Sequence, residues 1–179
     1  MIRPAVSCYI GAVLLVGAVH VGSTANAQRA CVGSISASTL GAVTPDTPVD
    51  LVRSRETTPE NNELKGAFEQ GFREAGGVVD SKAPAQMIVA YLLHGPAGSP
   101  AANQTFATLS ALAQAIHAQT GNPTVTLTIT LANFPPGTII WVGSVVCRIQ
   151  TRNFVILAHD LGGLIARNLG RSMQDEAIQ

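Results

Sequence analysis

The side chains of this chain that could do chemistry are few and scattered. Beyond the first 27 residues the histidines are His94, His117 and His159, each far from the others along the chain. A metal site would have to gather them with a carboxylate, because no paired spacing of the His-Glu-x-x-His kind occurs. The phosphate-cradling and dinucleotide-binding glycine patterns and the Gly-x-Ser-x-Gly elbow are also missing. His159-Asp160 pairs an imidazole with a carboxylate, but neighbours on a helix point about 100 degrees apart and do not face each other. If a helix starts there, Asp160 reads as its cap. Glu60, Glu63 and Glu74 could supply a sugar-cleaving pair of carboxylates. They are equally well explained as solvated helix residues, the first two favoured by the helix dipole. Serines at 34, 36, 38, 99, 110 and 144 are too many to single out a nucleophile. No residue is therefore assigned a catalytic, cofactor-binding or metal-binding role, and no cofactor is expected.

Two cysteines, Cys31 and Cys147, remain after the first 27 residues. In an oxidising compartment an even pair can be joined, and a bridge would tether the loose N-terminal arm to the hairpin that contains Cys147. The alternative is a buried thiol at Cys147, on the strand face that also carries Trp141.

The compartment is indicated by the N-terminus. Arg3 gives a positive start, Tyr9 to Val21 is apolar apart from His20, and Ala25-Asn26-Ala27 is a small-x-small cleavage pattern. The apolar run is 13 residues long, whereas a membrane span needs about 20. These features predict a signal peptide over 1–27, cleaved after Ala27. Cys31 follows Gln28-Arg29-Ala30, without the aliphatic residue of a lipid-attachment site, and Cys8 precedes the apolar core. The expected product is a periplasmic or secreted protein of a bacterial envelope with no stable membrane span.

All 11 acidic residues and all but one of the 11 basic ones lie after Ala27. That balance gives no electrostatic case for nucleic acid. From Ala83 through Cys147, 65 consecutive residues contain no Asp, Glu, Lys or Arg, where ordinary usage predicts about 16. This neutrality is either plain surface or a region that a partner covers. The Gly95 to Gln104 loop, with Gly95, Gly98, Ser99, Asn103 and Gln104, is the candidate recognition loop, because its glycines and prolines break regular structure and loops carry function. Asn103-Gln104-Thr105 also matches a glycosylation acceptor.

The elements that must position these residues follow from periodicity. Residues 28–48, rich in Ser, Ala, Gly, Thr and Pro, read as a flexible arm ahead of a single domain over 49–179. A half-exposed strand is expected over Val49 to Glu56. Thr58 caps a helix with Pro59 at its first position and an apolar stripe of Leu64, Ala67, Phe68, Phe72 and Ala75, stopped by Gly76-Gly77. Gln86 to His94 is a short apolar run, hence a buried strand, and Asn103 to Gln119 has near-helical spacing. Thr124 to Asn133 alternates threonine with Val, Leu and Ile, and Thr138 to Ile149 returns from a type II turn centred on Pro136-Gly137. A last helix runs from Asn153, or begins nearer Asp160, and its Gly162-Gly163 costs about 1 kcal/mol per glycine relative to alanine.

This order predicts an α+β fold, a mainly antiparallel sheet of about four strands with two or three helices on one face. The function expected is a non-catalytic binding or assembly module acting on another envelope protein, on wall material or on itself. The alternatives are a small secreted hydrolase with a dispersed site and a self-associating structural subunit.

Overall fold

Alternation of threonine with branched aliphatics makes Thr124–Asn133 the centre of the sheet. In the computed structural model, which describes residues 29–51, 58–95 and 103–178, this strand is β6. The elements before it are β1 (Cys31–Thr39), β2 (Pro48–Leu51), α1 (Pro59–Glu74), β3 (Val78–Val79), β4 (Ala85–His94), β5 (Gln104–Phe106) and α2 (Leu109–His117). After it come β7 (Thr138–Ile149), α3 (Phe154–Asn168) and β8 (Met173–Ala177). The sheet order is β3-β2-β4-β6-β7-β1-β8, with β5 also beside β4. β2 runs parallel to the start of β4, and β5 pairs antiparallel with its end. The α+β class is as expected, but the described sheet has eight strands rather than about four, and it is mixed.

The largest correction concerns the N-terminal region. Residues 31–39, read as part of a flexible arm, form a strand lying between β7 and β8 and antiparallel to both. Cys31, Ile35 and Ala37 are buried, so the segment belongs to the core. The strand expected over Val49 to Glu56 is β2, followed to Leu51; Arg53 and Arg55 lie outside the described residues, as does the segment 1–27 read as a signal peptide. The helix expected from Asn103 begins instead at Leu109. Gln104–Phe106 pairs with Tyr91–Leu93, and the Thr108 side chain accepts the Ala111 N–H to cap the helix. The β6–β7 turn is wider than a type II turn, since the Gly137 N–H donates to the Asn133 carbonyl at 2.7 Å.

Register lines up one face of the sheet. Tyr91, Leu127, Val145 and Ile35 stand opposite one another across β4, β6, β7 and β1, and Met87, Leu131 and Trp141 form a parallel row. These side chains are buried and join Leu64, Phe68 and Phe72 of α1, Leu112 and Ile116 of α2, and Leu157, Leu161 and Ile165 of α3 in one core. The Trp141 indole N–H is satisfied within it by the Arg171 carbonyl at 3.1 Å.

α3 starts at Phe154, with the Asn153 side chain accepting the Val155 and Ile156 N–H groups. Asp160 is therefore inside the helix and not its cap. The structure also gives Gly162 a purpose. A Cβ there would stand 3.0 Å from the Phe68 carbonyl carbon and nearer still to its oxygen, and a Cβ at Gly71 would press on the His159 backbone in the same way. These two glycines let α1 and α3 cross backbone to backbone.

Candidate interaction surface

The same alternation that fills the core leaves the other side of the sheet without a covering helix among the described residues. Thr128 stands opposite Ala90 on one side and Ser144 on the other, and Ser144 stands opposite Ser36. The next rows are Ile88, Thr130, Val142 and Ser38, then Leu92, Thr126, Val146 and Ser34. Ile88 is 46% exposed, Val146 42% and Val32 52%, so this face carries apolar groups in water beside its hydroxyls. Some of the hydroxyls hold the structure: Ser36 accepts the Asp175 N–H at 2.9 Å, and Ser172 accepts the Thr39 N–H at 3.0 Å. Thr126 bonds His94 Nε2 at 2.8 Å. The charged residues next to the face, Asp50 beside Gln86, Arg148 beside Thr124 and Asp175 of the edge strand beside Ser36, stand at its margins.

The three histidines are not brought together. His94 ends β4, His117 ends α2 with its ring edge-on to Phe154 at 5.1 Å, and His159 lies in α3. Among the described residues no three His, Cys, Asp or Glu side chains converge as metal ligands would.

His159 does have a carboxylate partner, supplied by the other helix. Its Nε2 lies 2.9 Å from Glu74 Oε2, while Nδ1 lies 3.7 Å from Asp160 Oδ1. A catalytic imidazole keeps one nitrogen on a carboxylate and turns the other to the nucleophile. Here both nitrogens face carboxylates, and the cleft beside them is lined by Arg29, Gly71, Ala75, Ile156 and Arg167, with Cys31 committed to a disulfide. The Glu74 contact ties α1 to α3, while the Nδ1–Asp160 separation is longer than a hydrogen bond. The Gln70 amide, and then His159, hold the Glu74 carboxyl below the ordinary carboxylate range. Asp160 Oδ2 also accepts the Ala30 N–H at 3.4 Å, anchoring the start of β1.

The candidate loop is only partly described. Gly95 follows β4, Asn103 takes a left-handed φ of 56°, and Gln104 opens β5 opposite Leu93. Gly98 and Ser99 lie outside the described residues. The loop therefore joins two paired strands instead of a strand and a helix. Cys31 and Cys147 form a disulfide with Cα atoms 5.5 Å apart. Cys31 is opposite Ile149, and Cys147 is opposite Gly33, so the bridge runs diagonally between neighbouring strands instead of tethering a loose arm.

The residues that sequence reasoning missed as a surface are Ser34, Ser36, Ser38 and Ser144. Their alternation with Ile35, Ala37 and Val145 was a usable signal, weakened by the small size of the apolar partners.

No protein-family model matches the chain, and no curated protein matches its sequence. Among solved structures, a PelC dodecamer from Paraburkholderia phytofirmans is 12% identical, with a TM-score of 0.43 over 79% of this chain and 99% of that one. A PDZ domain protein from Parabacteroides distasonis is also 12% identical, with a TM-score of 0.45 over 82% of this chain and 37% of that one. Neither likeness bears on function. Among the described residues no helix is long and apolar enough to cross a membrane.

Proposed function

We propose that this chain is an exported, non-catalytic contact module of the bacterial envelope, and that it works through the open face of its sheet. The observation that carries this reading is a sheet face with exposed Ile88 and Val146 beside uncharged hydroxyls. Soluble proteins ordinarily spread charge over such a face, whereas interface cores are depleted in charge and rimmed by polar groups. Export accords with the Cys31–Cys147 bridge, since disulfides persist in oxidising compartments.

A photo-crosslinking residue placed at Thr128, at Ser144 or on the helix side at Glu63 tests the reading in cells. Crosslinks to envelope protein are expected from the first two positions and not from the third. Crosslinks confined to Glu63, or none at any position, would overturn it. N-terminal sequencing of the exported chain should begin at Gln28; a chain retaining Met1 contradicts export by cleavage.

A further inference from the structure

We infer that the open sheet face pairs with the same face of a second copy of this chain. This rests on the reading of that face as the contact surface and names its occupant. The first argument is charge. In a two-fold, face-to-face pair the residues nearest the axis meet their own copies, so a charge of either sign at the centre would meet its like. A foreign partner imposes no such limit, because it can answer a lysine with a glutamate. The centre of this face, Thr126, Thr128, Ser144 and Val146, lacks both signs, and Asp50, Arg148 and Asp175 are held at the margins.

The second argument is chemical self-complementarity. A hydroxyl is donor and acceptor at once, so two identical hydroxyl surfaces can bond to each other. Ser38, Thr128 and Ser144 are available for this, while Ser36 and Ser172 are already engaged with backbone N–H groups. The side chains are short, which suits the roughly 10 Å spacing of packed sheets, and Ile88 and Val146 add apolar contact.

The third argument is area. Four strands at about 4.8 Å and seven residues at about 3.3 Å make a face of roughly 20 by 20 Å. Buried on both copies this is about 900 Å², the size of weak and transient interfaces, so the pair should form and separate with concentration. A sugar polymer is a poorer occupant, since stacking on sugar rings needs exposed aromatics on the face, whereas Trp141 and Tyr91 are buried and the exposed Phe134 lies beyond the end of β6.

Sedimentation velocity on the full exported chain, over a series from about 1 to about 500 µM, measures the pairing. The wild type should pass from monomer to dimer. Thr128→Lys and Thr128→Glu should each weaken the dimer by at least about tenfold, and an equimolar mixture of the two should restore it as a heterodimer. Glu63→Lys on α1 should change nothing, and unchanged melting temperatures show that each variant is folded. Variants that stay dimeric, or a mixture that stays monomeric, would overturn the inference. A wild type that is monomeric throughout overturns it as well. If a crosslinker at Thr128 then still captures another protein, the contact reading survives without the second copy; if it captures nothing, both fall.

Discussion

Replacing Gly71 with alanine should destabilise the protein, although alanine is the better helix former. Gly66 and Gly71 sit in the same helix, and on intrinsic propensity each substitution should gain about 1 kcal/mol. At Gly66 nothing lies within 4 Å of the new Cβ, so that gain should be realised. At Gly71 the Cβ would stand 3.0 Å from the His159 Cα and closer than that to its carbonyl carbon and oxygen. Backbone cannot swing aside as a flexible side chain would, so α1 and α3 must separate. A gap of about 0.5–1 Å forfeits a quarter to a half of each dispersion contact across it, and overpacking of this kind costs about 1–3 kcal/mol or more. The net expectation is a loss of about 2 kcal/mol for Gly71→Ala beside a gain of about 1 kcal/mol for Gly66→Ala. In a domain of this size that corresponds to melting temperatures lower by about 4–8 °C and higher by about 2–4 °C. Urea and thermal unfolding followed by Trp141 fluorescence measure both, because that indole is fully buried. Gly162→Ala acts on the same crossing, so the double variant with Gly71→Ala should lose less than the two single losses together. A Gly71→Ala variant as stable as Gly66→Ala would refute the close crossing.

Removing the bridge as Cys31→Ala with Cys147→Ala should cost about 3–5 kcal/mol, from the chain entropy of a loop spanning 116 residues, and denaturation curves with and without reductant should agree with the variant. Arg152→Ala should cost about 1–3 kcal/mol, since its guanidinium donates to the carbonyls of Ile116, Gln119 and Gly121 at the negative end of α2; loss of amide protection confined to α2 checks the mechanism. The Glu74 carboxyl titrates below the ordinary range because Gln70 and His159 favour its ionised form. Its contribution is thus present above the unfolded pKa and lost as pH falls through the lower folded value. Gln70→Ala and His159→Ala should each raise its titration midpoint by NMR.

What was legible in the sequence is what local physics decides. α1 and α3 were readable because their caps, Thr58 and Asn153, and their apolar stripes lie within a few residues of each other. The β6–β7 hairpin was readable because its alternation uses large aliphatics. β1 alternates just as regularly, but its inward residues include glycine and alanine and its outward ones serine, so the contrast in hydrophobicity is small. β8 buries only Met173 at its start and exposes the residues after it; it is a strand because β1 pairs with its backbone, which leaves no side-chain pattern to read. The Glu74–His159 contact joins residues 85 apart in the chain, and no local rule could have placed them together. Gly162 was read as a cost to its helix, and the compensating gain became visible only with α1 packed against it.

The charge-free stretch has a different weight once the fold is known. It supplies nearly all of β4, β6 and β7 together with β5 and α2, and their inward residues, such as Leu93, Leu127 and Val145, would be uncharged in any protein with this core. Those positions carry no information about a partner. The test lies in the outward positions of β4, β6 and β7, where a soluble surface would place charge at roughly one position in four to one in three. From Ile88 to Val146 none of them is charged, and the rows they form continue across Ser34, Ser36 and Ser38 of β1, which lies outside the stretch. Drift in composition along a segment would end where the segment ends. A neutral face that crosses from one part of the chain to another follows the geometry of the sheet, which is what the proposed contact at that face would require.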